Sequence, residues 1–531
     1  MKSKIVLLSL ALAVLVVAAA SGSQAAMSKG KRIDKLTIAL GAFGTEAIDP
    51  ILGILDDKPY LRLMYSYVID TDLRDKDPSK VTGLAKDWKW SADRKALRVF
   101  LRKGVKFHNG AEVKAEDVVF SLRRMKSPET RGPYTKFFFG PLDRMEVVND
   151  YEVLFILKKK PKASFIAMFG PILAGTTMMI YPKAYFEKVG KNGFRRKPIG
   201  SGPYKLVRRE AGSYMEFEAF DDYFLGPPRV KKIFFRLVPE ETTRIAMLKR
   251  GEVDIAEVSR ENTVSIKKAG FKLFSKAGGD MIHLLVHAWP PWKDKTLSDE
   301  RVRKALFTSI NKEEINKFIL KGQGKLSGSL IYEGIAIGGK YIPPHPYNPK
   351  EAAKLLREAG YPEGKLKLTL YAILKTGYPE SVDVAQAIAS DWEKIGVITK
   401  IIPEKYGTLR PRIISRKLQV PSLRIHPLGS RPFHGGLLRV FYDCPSAKLS
   451  TICVPEVAAM IKKVNAADTV KEYGQAQQAV AEILHKKYLG TMLHVVGRVM
   501  ATNDKVKKWD LGSSAYSINF RYLGLHELLD K

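Results

Sequence analysis

Apolar and polar positions along the chain alternate in blocks that predict a mixed α/β protein. Residues 36–40 read as a first strand, followed by the turn-rich stretch Gly41, Ala42, Phe43, Gly44, Thr45 and then Ile48, Asp49 and Pro50. Residues 97–101 and 153–157 read as further strands. In the second of these Val153, Phe155 and Leu157 make one face and Leu154, Ile156 and Lys158 the other, so it is expected to be buried on both sides. Within residues 104–124, Asn109 and Gly110 favour a tight turn because both tolerate positive φ. Val118, Val119 and Leu122 then recur at helical spacing, with Glu116 and Asp117 on the first turn, where negative charge is favoured. Residues 244–251 read as a helix that ends at glycine. Residues 281–287 read as a strand that puts His283 and His287 on one side, about 13 Å apart at roughly 3.3 Å per residue. Ser298 or Asp299 caps a helix with Glu300 in its first turn and Val302, Leu306, Ser309 and Ile310 as its inward stripe. Another amphipathic helix opens after Asn348 and stops at Gly360, with Pro362 behind it.

The N-terminus adds a different kind of segment. Lys2 and Lys4 precede an apolar run from 5 to 20, followed by Ser21, Gly22, Ser23, Gln24, Ala25 and Ala26. That is the order of charge, apolar core and small residues in a secretory signal peptide, and the run is short for a bilayer span of roughly 20 residues. Residues 1–26 are therefore expected to be a leader cleaved after Ala25 or Ala26. With no Cys near the cleavage region, a lipid anchor is not expected, and the mature chain is expected in a periplasm. What remains exceeds the roughly 250–300 residues that one core organises, so two or three lobes are expected.

Composition narrows the partners. The chain of 531 residues carries a formal charge of +34, which favours anionic partners. The basic residues are dispersed, and no zinc spacing or aromatic RNA-binding signature accompanies them. Together with the leader this argues against nucleic acid and for an exported protein with a basic surface. Its two cysteines, Cys444 and Cys453, read as a disulfide in an oxidising compartment. Free thiols or a metal pair are the alternatives, and the absence of Cys-x-x-Cys or clustered His nearby leaves the disulfide as the expectation.

Enzyme chemistry finds little footing. His-Glu-x-x-His and Gly-x-Ser-x-Gly are both absent. His283 and His287, at strand spacing, do not make a metal site without other ligands. Gly200, Ser201 and Gly202 lie before Pro203 and a strand-like stretch, not before a helix, so they do not cradle phosphate; they let the backbone turn or approach another segment closely. No catalytic residue, metal or cofactor is expected.

Several of these strings, in order from about 36 to 525, resemble the family 5 extracytoplasmic solute-binding proteins, the peptide, nickel and opine receptors of ABC importers. The stretch 104–124 is similar to a family signature, with Lys114 where the family usually has Thr, so the expected helix cap is missing. Residues 198–206, 251–256, 297–311, 347–362, 385–397 and 509–525 resemble further family segments, in turn. The resemblance implies an α/β two-lobed clamshell of the periplasmic-binding-protein type, with an extra α/β domain inserted in the first lobe. Lobe I would comprise 27–59, 196–283 and 503–531, the extra domain 60–195, and lobe II 284–502. It implies a monomeric receptor that captures a small-molecule ligand between lobes and delivers it to a membrane permease.

In peptide-binding members an acidic residue of lobe II meets the ligand's amino terminus, in a segment similar to 423–440 here. This chain has no Asp or Glu from Lys405 to Tyr442, and a buried ammonium without a partner is costly. Arg424, His426 and Arg431, with Phe433 beside them, offer donors suited to carboxylate or phosphate. His287, Trp289 and Trp292 lie where the family brings a strand towards the cleft, and Phe43 and Tyr204 are further cleft candidates. An opine-like compound or organic acid is therefore the expected solute. A di- or oligopeptide is the alternative, a nickel chelate follows, and a periplasmic scaffold without a transported ligand is the reading from another class.

Overall fold

The computed structural model describes residues 32–54, 57–70, 83–131, 138–163, 165, 178–275, 280–289, 293–330, 339–374, 378–429, 434–444, 449, 450, 452–507, 509 and 520. The expected leader and the candidates Trp292, Arg431 and Phe433 lie outside the described residues.

The first lobe is built on a seven-stranded sheet in the order β12 (Lys272–Ser275), β18 (Val499–Thr502), β11 (Ile255–Val258), β1 (Ile33–Leu40), β10 (Val230–Leu237), β9 (Tyr214–Ala219), β8 (Tyr204–Glu210). Its centre is parallel, β1 pairing with β10 on one side and β11 on the other. That pairing explains why Leu36, Ile38 and Ala39 are all buried: a parallel strand is covered on both faces. Beyond β10 the helix Glu241–Lys249 carries Arg244 back under the strand ends. The guanidinium donates to the carbonyls of Val238 and Pro239 at 2.7 Å and of Glu257 at 2.8 Å.

The second lobe holds a five-stranded sheet, β15 (Val397–Lys405), β14 (Leu366–Leu374), β16 (Ser422–Gly429), β13 (Asp280–His287), β17 (Gly490–Val496). One face, including Ile282, Leu284, Val286, Leu370, Ala372, Leu423 and Ile425, forms the main core with the surrounding helices. Two of those helices start as their sequences require. Asp299 accepts the Arg301 N–H at 2.8 Å before the helix Glu300–Thr308, and Asn348 accepts the Glu351 N–H at 3.1 Å before the helix Pro349–Glu358.

The inserted unit is an antiparallel sheet, β3 (Ala85–Trp90), β4 (Ala96–Leu101), β6 (Glu152–Leu157), β5 (Leu142–Asn149), with the helix Ala115–Arg124 against it. In β6 Val153, Phe155 and Leu157 are buried while the other face is half-buried. Lys114 gives the helix no side-chain cap. Asp117 instead accepts the Lys114 backbone N–H at 2.9 Å, half of a capping box. A short ribbon, β2 (Ser66–Tyr67) with β7 (Met179–Ile180), joins the unit to lobe I, where Tyr65, Tyr67, Tyr181 and Phe194 share the aromatic core of the seven-stranded sheet.

The stretch around Gly200 and Gly202 makes the close approach its glycines predict. A Cβ on Gly200 would stand 2.1 Å from the Met64 carbonyl oxygen, and one on Gly202 2.4 Å from that of Leu63. His108, from the Asn109-Gly110 turn, clamps this crossing. Its Nε2–H donates to the Gly202 carbonyl at 3.0 Å and its Nδ1 accepts the Gly200 N–H at 3.3 Å.

The chain passes between lobes twice, from β12 to β13 and from β17 to β18. These strands are neighbours in both sheets: β12 beside β18 in lobe I, β13 beside β17 in lobe II. Beside the crossings Arg260 of lobe I reaches Glu380 of lobe II, both carboxylate oxygens 2.9 Å from one guanidinium nitrogen, and also donates to the Gly497 carbonyl. Both side chains are buried.

Two outcomes follow from these contacts. Glu380→Gln leaves the buried Arg260 charge uncompensated and should lower unfolding stability by about 3–5 kcal/mol, while Arg260→Met with Glu380→Leu should recover most of it; urea midpoints of the three chains measure this, and an unchanged midpoint for Glu380→Gln removes the pair from its role. Burial lowers the His108 pKa to about 4, below its ordinary 6.5. Between those values only the unfolded chain takes up the proton, so the neutral clamp's contribution is complete above pH 6.5 and is lost as pH falls towards 4, by at most about 1.4 kcal/mol per pH unit. His108→Gln keeps a donor and an acceptor without titrating, so its stability should fall less steeply from pH 7 to 5; parallel curves would refute the assignment.

Candidate functional site

The parallel strands β1 and β11 of lobe I and β14 of lobe II have their carboxyl ends towards the other lobe, as in open α/β sheets generally. In lobe I, β11 leads to Arg260 and β1 ends at Gly41, whose N–H donates to Glu257 at 3.3 Å. Glu257 also lies 3.5 Å from Arg498 of the second crossing. From lobe II, Gln323 Nε2 donates to Thr263 Oγ1 at 3.0 Å, and Glu380 follows β14. Glu257, Arg260, Thr263, Gln323, Glu380 and Arg498 thus form a polar floor between the lobes. Leu374, at the carboxyl end of β14, stays 42% exposed, an apolar side chain left uncovered at that end of the sheet.

The sequence candidates fall elsewhere, in two groups. Phe43 and Tyr204 are buried in the lobe I core, Phe43 edge-on to Phe235 with ring centres 6.5 Å apart. His287, Trp289, Arg424 and His426 lie on or just beyond β13 and β16. As expected, His283 and His287 share one face of a strand, and in the register His283 stands opposite His426 and His287 opposite Ser422. The face they share also carries Met281 and Leu285 and is opposite to that of Ile282, Leu284 and Val286. His426 meets Tyr406 and Phe441 edge-on, with ring centres 4.8 and 5.5 Å away.

Strand direction decides how these residues relate to the cleft. Asp280 lies next to the crossing, and His287 is seven residues further along β13, about 23 Å at roughly 3.3 Å per residue. The β16 partner of Leu285 is Arg424, so Arg424 sits near the distal end too. His287 Nδ1–H donates to Ser422 Oγ at 2.9 Å and its Nε2 accepts from Arg424 Nη1 at 3.0 Å. That tautomer is neutral: burial first, then Arg424 and Arg416, holds the His287 pKa well below its ordinary value. Trp289 carries the Arg416 guanidinium over its ring at 3.7 Å and packs beside the Cys444–Cys453 disulfide, which is formed. Burial lowers the Arg424 pKa to about 10, so the group stays charged at neutral pH.

The polar floor was not visible in the sequence. Arg260 and Glu380 are separated by 120 residues, and neither belongs to a periodic pattern or motif. Among the described residues no group of His, Cys, Asp and Glu is placed to hold a metal, and no helix is long and apolar enough to cross a membrane.

Comparison with known proteins agrees with the two-lobed architecture. A structure of CtaP from Listeria monocytogenes superposes with a TM-score of 0.78 at 21% identity, covering 92% of this chain and 99% of that one. NikA from Brucella suis, in complex with Fe(III)-EDTA, also gives 0.78, at 19% identity over 92% of this chain and 99% of NikA. Among curated proteins, the dipeptide-binding protein of Escherichia coli (strain K12) is 30% identical over 359 residues, 62% of this chain and 64% of that protein. The chain therefore aligns with just under two thirds of that relative's length. The oligopeptide-binding protein AppA of Bacillus subtilis (strain 168) is 29% identical over 401 residues, 72% of this chain and 71% of AppA. The model of the bacterial extracellular solute-binding proteins, family 5 Middle, matches residues 80–427, about two thirds of the sequence, and the chain belongs to that family of solute-binding proteins.

Proposed function

We propose that this chain is the solute-binding component of an ABC importer, that it takes a di- or oligopeptide between its lobes, and that closure about the two strand crossings presents the loaded form to a membrane permease. The observation that carries the reading is the interlobe floor: carboxyl strand ends from both lobes meet across a polar surface anchored by Arg260 and Glu380. The names of the relatives, dipeptide- and oligopeptide-binding proteins, support the peptide.

The opine-like or organic-acid solute expected first has less support than this alternative, for a physical reason as well. That expectation rested on the acid-free stretch from 405 to 442. The interlobe floor draws its carboxylates from elsewhere, Glu257 and Glu380, so a stretch without acids does not make the cleft acid-free. Arg424, the strongest anion donor of that stretch, is fully buried within lobe II, well away from the crossings.

Thermal shift of the full chain against di- to pentapeptides, opines, dicarboxylates and nickel chelates tests the reading, since a ligand of the folded state raises the melting temperature. Peptides should raise it by several degrees at concentrations where opines and dicarboxylates do not. A shift confined to opines or organic acids would overturn the peptide assignment, and none across the panel would favour the scaffold reading.

A further inference from the structure

Several buried cations among the described residues follow a rule. Arg62 has Asp70, Arg260 has Glu380, Arg244 has three carbonyl oxygens, and Arg303 donates to the carbonyls of Leu297, Ser298, Lys487 and Tyr488. Lys312, whose pKa burial lowers to about 7, donates to Thr491 Oγ1 and the Met492 carbonyl. Arg424 breaks it. It is fully buried, and among the described residues its one hydrogen bond goes to the neutral ring of His287 while Nε and Nη2 have no partner. Those two nitrogens share one edge of the planar guanidinium, the edge that binds anions in a fork. The buried Tyr442 hydroxyl, a further donor, also has no partner among the described residues. The helix His434–Tyr442 that carries it lays Phe441 against the same guanidinium, 5.5 Å from the ring centre. Arg416 adds positive potential nearby. Three unpartnered donor atoms, two of them on an enclosed positive charge that no carboxylate among the described residues pairs with, are costly unless an anion joins them.

We infer that lobe II contains a binding site for a small anion between β13, β16 and the helix His434–Tyr442, formed by the Nε–Nη2 edge of Arg424 and the hydroxyl of Tyr442. The chemistry is that of a halide or a carboxylate, which has two sources, a free ion resident in the lobe or the carboxylate of the transported solute. Position favours the free ion. Arg424 pairs with Leu285, five residues along β13 from Asp280, about 16 Å from the crossings at roughly 3.3 Å per residue, and is closed off from solvent. The site is separate from the interlobe cleft, so its failure leaves the peptide reading standing.

The test uses the full chain in sodium gluconate, with bromide substituted at constant ionic strength. The melting temperature should rise saturably by roughly 2–4 °C, and crystals grown in bromide should show its anomalous signal within hydrogen-bond distance of Arg424 Nε and Nη2. Arg424→Met, close in volume and without the charge, should abolish the response, and Tyr442→Phe should weaken it. The second variant decides the matter if the first fails to fold. No bromide response, or a response that survives Arg424→Met, overturns the site. A parallel titration compares a dipeptide with its C-terminal amide. If Arg424→Met erases the preference for the free acid while bromide leaves the parent chain unchanged, the guanidinium belongs to the solute's carboxylate and the resident-ion assignment is overturned.

Discussion

The contact of one Arg260 guanidinium nitrogen with both carboxylate oxygens of Glu380 is the constraint around which the two lobes are arranged. A charge removed from water at a domain boundary is tolerated only with a well-placed partner and further hydrogen bonds. Arg260 has both: two carboxylate oxygens from lobe II and the carbonyl of Gly497, a residue of the second crossing. One side chain therefore ties the end of β11 to the segment after β14 and to the crossing itself. Because the crossings are adjacent strands in each sheet, fixing this point also fixes which strand ends face one another. The floor of Glu257, Thr263, Gln323 and Arg498 is a consequence of that arrangement.

A second clamp of different chemistry seats the inserted unit. His108 is neutral and buried, and it uses both ring nitrogens on the backbone of Gly200 and Gly202. The glycines are needed because the crossing runs against the backbone of Leu63 and Met64 too closely for a Cβ. The stretch from 104 to 124 thus does structural work: its turn presents His108 to the crossing, and its helix closes the sheet of the inserted unit. Lys114, in place of a capping hydroxyl, does not disturb this. Asp117 secures the start of the helix through the Lys114 N–H, and the ammonium pairs with Asp150 on the surface.

Local pattern made much of the fold legible. Strands at 36–40, 97–101 and 153–157, the caps at Asp299 and Asn348, the strand placement of His283 and His287, and the pairing of Cys444 with Cys453 all depend on neighbours in sequence or on compartment chemistry. The site was less legible, because it depends on which sheet face a helix covers. Arg424 reads as an anion donor at the cleft, yet the segments from 406 to 414 and 434 to 442 bring Tyr406, Phe441 and Tyr442 around it and close it off. Phe43, after the first strand, and Tyr204, in the crossing, read as lesser cleft candidates, and both fill the aromatic core of lobe I. The partnership of Arg260 with Glu380 leaves no trace in sequence because neither residue's surroundings are set until both lobes have formed.

The proposed closure also has to leave a buried ion pair intact beside a cleft that opens. In the proposed closure about the two crossings each atom would move in proportion to its distance from that axis. Arg260, Glu380 and Gly497 lie beside those crossings and move least, so the pair persists while more distant parts of the lobes separate. Groups far from that axis within one lobe, such as His287, Arg424 and Tyr442, would then travel together, with their mutual distances unchanged. Whatever compensates the charge of Arg424 is accordingly present in the open and the closed form alike, whereas a solute bound between the lobes is present only when loaded. Compensation that is independent of loading is the property of a structural ion, and it separates the chemistry inside lobe II from the chemistry of transport.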